Sequence, residues 1–330
     1  MAGAPHVVAA WHAVAAGRAT APTATGKSDL GVALAEQLGG EVLNADALQL
    51  YRGMDVGTAK LTPAERRGIP HHLLDVLDPH EDASVAGYQQ DARAAVAGIA
   101  ARGRRPVVVG GSGLYVRALL DRIDFPGTDP AVRAGLEARV EAEGSRALHA
   151  ELARLDPVAA EGIGPRNARR VVRALEVIAL TGRPYSANLP GHDYVRPTVQ
   201  IGLDCDRAVL DERVQARVDR MWSAGLVDEV RGLLGRGIGR TASRAVGYAE
   251  VLAALRGEIT EDEARAQVVA GTRRLARKQM GWFGRDPRVH WLDSRDPDLV
   301  ARALDLVAAA DAGDLGPATD DPAPRRSLGS

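Results

Sequence analysis

Residues 25–28 read Thr-Gly-Lys-Ser and lead into GKSDLGVALAEQLGG, whose apolar residues recur at helical spacing until Gly39 and Gly40 stop them. No other stretch restricts the fold as tightly. Gly26 lets the backbone approach a phosphate, Lys27 reaches terminal phosphate oxygens, and Ser28 offers a hydroxyl to Mg2+. The helix N-terminus adds its dipole. Such a loop belongs between a strand and a helix of a parallel α/β sheet. The full pattern G-x-x-x-x-G-K-[ST] asks for Gly at position 21, where this chain has Ala21. At positive φ a Cβ there costs about 1 kcal/mol; at negative φ it is tolerated. The preceding AAGRATA puts Gly17, Arg18 and Thr20 where a hydrophobic strand should end. The better strand, HVVAAWHAV, lies several residues earlier.

The same alternation continues. EVLNAD is a short strand ending at Asp46, VAGYQQDARAAVAGIAARG is an amphipathic helix closed by Gly103, and RPVVVGGSGLY is a run of Val entering a Gly-rich turn. Continuous apolar runs suit a parallel sheet covered on both faces. Aromatic residues are only 4% of the chain, so Ala, Val and Leu must build the core. From about Pro126 to Pro190 strands give way to helical patterns, DPAVRAGLEARVEAEGSRALHAELARLDP and GPRNARRVVRALEVIALTG. The strand TVQIGLDCD then returns, and LDERVQARVDRMWSAGLVDEVRGLLGRG and TEDEARAQVVAGTRRLARKQMGWFG are again helical. The expected organisation is an α/β, P-loop NTPase-like parallel sheet core at 1–125 and a helical insertion at 126–195. A return to the core with C-terminal helices follows at 196–310, then a Pro-, Gly- and Asp-rich disordered tail at 311–330.

Chemistry gathers where strands end. Asp46 stands at the C-terminal end of a strand, outside which doubly wound sheets bind ligands. A carboxylate there can accept a proton from a nucleophile, hold a metal's water, or simply cap the next turn. GGSGLY, Gly110–Tyr115, also follows a strand; its glycines permit close backbone approach and Ser112 supplies a hydroxyl. With the Gly-Lys-Ser start, three strand-end features meet on one edge of one sheet.

The formal net charge is −1, so any nucleic-acid site must be a local patch. Arg166, Arg169, Arg170 and Arg173 are spaced by three and four and line one helical face; Arg273, Arg274, Arg277 and Lys278 do the same later. Each is either a solvated face or a phosphate-backbone contact. Asp75 and Asp78 precede Pro79 and read as a turn, His71-His72 lacks companion ligands, and Trp282-Phe283 reads as core. Cys205, the only cysteine, excludes an internal disulfide and a cysteine-based zinc site, and fits a reducing cytoplasm. The apolar run VVAAWHAVAA contains His12, is too short to span a bilayer, and has no Lys or Arg before it as a signal peptide would.

Eight stretches in order resemble the bacterial tRNA dimethylallyltransferases, also called tRNA isopentenyltransferases. They are PTATGKSDL, NADALQLYRGMDVGTAK, PHHLLDVLDP, VVVGGSGLYVRALL, RRVVRALEV, AGLVDEV, AVGYAEVL and TRRLARKQMGWFGRDPRVHWLD, from about Pro22 to Asp293. The resemblance implies a P-loop core with a helical insertion clasping an anticodon stem-loop. It implies transfer of a dimethylallyl group from its diphosphate to N6 of the adenine 3′ of the anticodon, with Mg2+ required and diphosphate released. The adenine is turned out of its stack to react. By this resemblance Ala21, Pro22, Thr23, Ala24, Thr25, Gly26, Lys27 and Ser28 hold the donor's diphosphate, with Ser28 on Mg2+ and Arg213 assisting. Asp46 is the general base, and Lys27 and Ser112 are the other catalytic residues. Asp46, Ala47, Leu48, Gln49, Ser112, Arg133, Arg169, Arg170 and Arg173 contact tRNA. No oligomerisation signal is visible, so a cytoplasmic monomer is expected. Two alternatives stay open: a P-loop small-molecule kinase transferring the ATP γ-phosphate, and a tRNA-binding protein whose phosphate loop has degraded.

Overall fold

Strands made of consecutive apolar residues must be covered on both sides, and the sheet shows how. In the computed structural model, which describes residues 7–12, 26–188 and 191–318, the strands are β1 (Val7–His12), β2 (Gly40–Asn44), β3 (His71–His72), β4 (Arg105–Gly110), β5 (Thr198–Asp204) and β6 (Val289–Asp293). Their order is β3-β2-β4-β1-β5-β6 and every pairing is parallel. The early apolar run therefore supplies the central strand: Ala10 pairs with Val109 on one side and Ile201 on the other. Residues 13–25 lie outside the described residues, and with them Ala21, Pro22, Thr23, Ala24 and Thr25.

The helices follow in chain order. After β1 comes α1 (Lys27–Gln37), after β3 comes α2 (Val85–Ala101), and after β4 comes α3 (Gly113–Leu120). Then come α4 (Pro130–Glu143), α5 (Ser145–Leu155), α6 (Pro157–Gly162) and α7 (Ala168–Thr181). Beyond β5 lie α8 (Arg207–Ser223), α9 (Leu226–Arg236), α10 (Tyr248–Leu255) and α11 (Glu261–Phe283). The last helix, α12 (Leu299–Ala312), follows β6. Helical stretches of the sequence break at glycines whose φ suits a left-handed turn, Gly144 between α4 and α5 (φ 86°) and Gly225 between α8 and α9 (φ 91°).

The chain divides into two units, one running to Leu120 and resuming at Tyr194, the other Asp121–Asp193. In the first, alternate strand residues serve opposite faces. Val8, Val42, Val107 and Ile201 pack with Leu30 and Leu34 of α1 and Val307 of α12; Leu43 and Val108 pack with Tyr88, Val96, Val116 and Leu119 of α2 and α3. A third cluster joins Tyr51 and Met54, from the loop after β2, to Leu226, Val230 and Leu233 of α9 and Tyr248 of α10. Helix α12 extends through Asp311, which pairs with Arg105 (2.7 Å). Residues 311 and 312, expected to begin the tail, are therefore helical, and 319–330 lie outside the described residues.

The second unit is a helical body around Leu148, Leu152, Ile163, Val171 and Leu175. Its bounds fall a few residues before the expected 126–195 because the chain departs directly after α3. The amide of Val195 donates to the carbonyl of Leu120 (2.8 Å), which ties the return point to the exit point.

Candidate functional site

The C-terminal ends of β2 and β4 lie side by side, and small residues let their turns interlock. A Cβ on Gly110 would stand 2.2 Å from the carbonyl carbon of Ala45, so only glycine fits there. Ala45 N–H donates to the Val109 carbonyl (2.8 Å) and Ser112 N–H to the Ala45 carbonyl (3.2 Å). The Ser112 hydroxyl accepts the N–H of Ala47 (3.0 Å). Ser112 thus holds the turn that bears Asp46.

Asp46 is further fixed by Asn44, buried at the end of β2. The Asn44 amide donates to the Asp46 carbonyl (3.0 Å) and to the Leu73 carbonyl (2.9 Å), while its oxygen accepts Asp46 N–H (2.9 Å). The Asp46 carboxylate accepts Leu48 N–H (3.0 Å) and keeps its second oxygen for other partners. Below, Tyr88 and Tyr115 stack with ring centroids 4.4 Å apart, and the Tyr88 hydroxyl donates to the Asn44 carbonyl (3.0 Å). Burial raises both phenols, with the Asp46 charge adding to the effect, and Tyr115 is pushed up to about 12. Both stay neutral donors.

Gly26 opens α1 in the left-handed region (φ 70°), with open space where a Cβ would be; conformation, not crowding, calls for glycine. Lys27 follows, half-buried, its ammonium 3.4 Å from where a Gly111 Cβ would stand. Burial pushes the Lys27 ammonium below the ordinary lysine range, the Asp46 carboxylate pulls it back up, and the Arg217 guanidinium pushes it down again. Arg217, on α8, is likewise lowered by burial and supported by Asp46, and its buried Nε has no hydrogen-bond partner. Among the described residues neither cation forms an ion pair. Two cations that feel one carboxylate and form no ion pair of their own are able to receive an anion.

Arg217 is a candidate that the sequence reading passes over. The resemblance offers Arg213, one turn earlier on α8, whose electrostatic neighbours are instead Cys205 and Arg295. The i, i+4 spacing was the available signal. Two residues of α11 also reach this edge. Gln279 donates to the Gly111 carbonyl (2.9 Å), and Trp282 lies so close to Gly113 that a Cβ there would stand 2.1 Å from its ring. Phe283 is core, as expected, but Trp282 is 46% exposed: one turn of α11 buries the first ring and aims the second outward.

The loop after β2 is folded by charge. Buried Lys60 donates to the Tyr51 carbonyl (2.9 Å), Asp55 (2.6 Å) and Asp75 (2.6 Å); Gln49 donates to the Thr58 carbonyl (3.1 Å). Asp78 pairs with Arg52 (2.9 Å), and His72 with Glu41 (2.6 Å), so neither that aspartate pair nor the histidine pair resembles a metal site. Among the described residues no group of three or more His, Cys, Asp or Glu could hold a metal. Nor is any helix long and apolar enough to cross a membrane.

In the second unit the arginines separate. Arg133 (2.6 Å) and Arg173 (2.8 Å) both bond the fully buried carboxylate of Glu176, and Arg173 also donates to the carbonyls of Pro126 and Gly127. Burial alone would raise the Glu176 carboxyl; the two guanidiniums outweigh it and hold it below the usual range. Arg169 and Arg170 are exposed without ion pairs among the described residues. Arg166 precedes the Asn167 cap and is not on the helix at all. On α11, Arg273 is tied to Asp211 (3.1 Å), while Arg274, Arg277 and Lys278 are exposed.

Residues 49–286 match the model of a family described as IPP transferase. The chain belongs to that family. It is 62% identical over 291 residues to the tRNA dimethylallyltransferase of Streptomyces coelicolor, covering 87% of this chain and 93% of the relative. It is 63% identical over 303 residues to that of Kineococcus radiotolerans, covering 88% and 96%. Among solved structures, the tRNA isopentenylpyrophosphate transferase of Bacillus halodurans superposes with a TM-score of 0.65 at 41% identity, covering 94% of this chain and 97% of that one. A eukaryotic dimethylallyltransferase acting on tRNA reaches a TM-score of 0.79 at 24% identity, covering 96% and 81%, which shows a shared fold. For this family member the P-loop NTPase-like core is therefore established. Ser112, Arg217, Gln279 and Trp282 lie inside the matched span, while Lys27 and Asp46 precede it.

Proposed function

We propose that this family member transfers the dimethylallyl group of dimethylallyl diphosphate to N6 of the adenosine 3′ of the anticodon in tRNA, releasing diphosphate. The observation that carries the reading is the pair Lys27 and Arg217 near Asp46, neither in an ion pair among the described residues, with the Lys27 ammonium at the Gly111 turn and the Arg217 Nε buried and unpartnered. An exocyclic adenine amine is a poor nucleophile because its lone pair is delocalised into the ring. The allylic carbon compensates by carrying positive charge as its bond to the diphosphate oxygen breaks. The enzyme's tasks are to stabilise the departing anion and to remove one proton. Lys27 and Arg217 meet the anion; the Asp46 carboxylate receives the N6 proton as the new N–C bond forms. Ser112 and Asn44 orient that carboxylate through the backbone.

Ser28 fits Mg2+: its hydroxyl lies on the first turn of α1 and bonds no described residue. When bound, Mg2+ neutralises part of the diphosphate charge. On the RNA side, Trp282 offers a stacking face at the reacting edge, with Arg274, Arg277 and Lys278 on the same helix for phosphates. In the second unit, the exposed Arg169 and Arg170 are offered to tRNA phosphates. On this reading the enzyme acts in the cytoplasm as a monomer. The test is incubation with unmodified tRNA, dimethylallyl diphosphate and Mg2+, followed by nucleoside analysis for the prenylated adenosine. ADP release from ATP without prenyl dependence would establish the kinase instead; tRNA binding without transfer would establish a degraded loop.

A further inference from the structure

Glu229 lies on α9, and nothing in the sheet core or the reacting edge uses its charge. Its carboxylate nevertheless collects four donors. One oxygen accepts the N–H groups of Asp55 (2.8 Å) and Val56 (2.7 Å); the other accepts Gly57 N–H (3.1 Å) and the Tyr248 hydroxyl (2.6 Å). Three consecutive N–H groups aimed at one anion form a nest. The loop has no strand or helix to satisfy them, so the carboxylate takes that part. Gly57 is required for space, since a Cβ would stand 2.5 Å from the Tyr248 ring. Burial first, and the Glu229 charge next, push the Tyr248 phenol far up, so it remains a donor.

The loop held this way supports the reacting edge. The Thr58 hydroxyl donates to the Met54 carbonyl (2.6 Å), closing the turn over the nest, and the Thr58 carbonyl receives the Gln49 side chain (3.1 Å). Gln49 ends the run from Asp46 whose first turn is pinned by Asp46 itself (Leu48 N–H to the carboxylate, 3.0 Å). A continuous set of hydrogen bonds thus leads from α9 through residues 55–58 to Gln49. We propose that Glu229 is a positioning residue for the RNA-facing side of the site, holding Gln49 and its loop in place for tRNA while leaving the diphosphate cradle of Lys27 and Arg217 untouched. The inference rests on the transferase reading above. A glutamine could not replace it: one carboxylate oxygen would become an NH2 facing other donors.

The experiment uses the full chain, with Glu229→Gln, Tyr248→Phe, Gln49→Ala and the Glu229→Gln/Gln49→Ala pair. Transfer kinetics, tRNA affinity by anisotropy, inorganic diphosphate affinity by calorimetry and amide hydrogen exchange are measured on each. Glu229→Gln is expected to raise the KM for tRNA about tenfold, and Tyr248→Phe less, with diphosphate affinity changed by no more than about twofold. Exchange should accelerate at residues 55–58 and stay slow through α9. In the Gln49→Ala background Glu229→Gln should add little to the loss. Unchanged tRNA parameters, fully multiplicative effects, or a joint loss of diphosphate affinity and of α9 protection would each overturn the proposal. If the unaltered protein transfers no prenyl group, the transferase reading fails, and tRNA affinity and exchange still decide the role of Glu229.

Discussion

Lys27 and Arg217 at the sheet edge, and Arg133 and Arg173 in the second unit, are cations in opposite surroundings. The first two are desolvated beside a single carboxylate and form no ion pair among the described residues. The second two converge on the buried carboxylate of Glu176. A charge removed from water without a partner lowers stability, while a pair sharing a buried anion forms part of the scaffold. The contrast separates cations open to an incoming anion from cations that hold helices together. It also bears on Arg133 and Arg173, which the family resemblance assigns to tRNA: their guanidiniums are already engaged.

The largest effect should come from the carboxylate that the free cations face. Asp46→Asn is expected to lower kcat about a thousandfold while tRNA still binds, read by single-turnover transfer alongside anisotropy. Next, Arg217→Ala should lower kcat/KM for the prenyl donor about a hundredfold, against a much smaller change for Arg213→Ala. Equal losses would break the distinction drawn between these neighbours. Glu176→Gln tests the other side. It should destabilise the second unit by about 3 kcal/mol in denaturant titration, because two guanidiniums lose their shared anion. The Glu176 carboxyl is held low in the folded state, so its contribution is complete above the ordinary glutamate range and is lost as pH falls through its lowered value.

Lys27 is lowered as well, but because burial disfavours its charged form rather than because partners favour it. Its folded value lies below the ordinary 10.5, so diphosphate affinity of the free enzyme should decline as pH rises toward that value. Over the same window the unfolded chain holds the extra proton, and the stability of the unliganded fold should rise. The smallest effect is expected at the surface. Arg170→Ala should weaken tRNA binding a few-fold and reduce its salt slope by about one, leaving diphosphate affinity unchanged. A drop in diphosphate affinity would place Arg170 with the wrong set.

Much of this was legible in the residues. Gly-Lys-Ser before an amphipathic helix, Asp46 after one strand and Ser112 after another need only local patterning, because a parallel sheet brings its strand ends to one edge. The arginine faces were legible as spacing but not as roles. Arg213, Arg217 and Arg220 on α8 are equivalent by periodicity, and only the docking of that helix buries Arg217 beside Asp46. Trp282 and Phe283 are likewise adjacent in sequence and opposite in exposure. Glu229 and the amides it holds are separated by more than 170 residues, too far for any pattern to link them.

By itself, then, the sequence determined the parallel α/β core, the helical interruption and the family, since these rest on periodicity, glycine placement and long ordered motifs. Only the tertiary structure decided which cations are free and which are spoken for. Charge, unlike helical periodicity, has no meaning until its neighbours are known, and the neighbours of Lys27, Arg133, Arg217 and Glu229 come from distant parts of the chain.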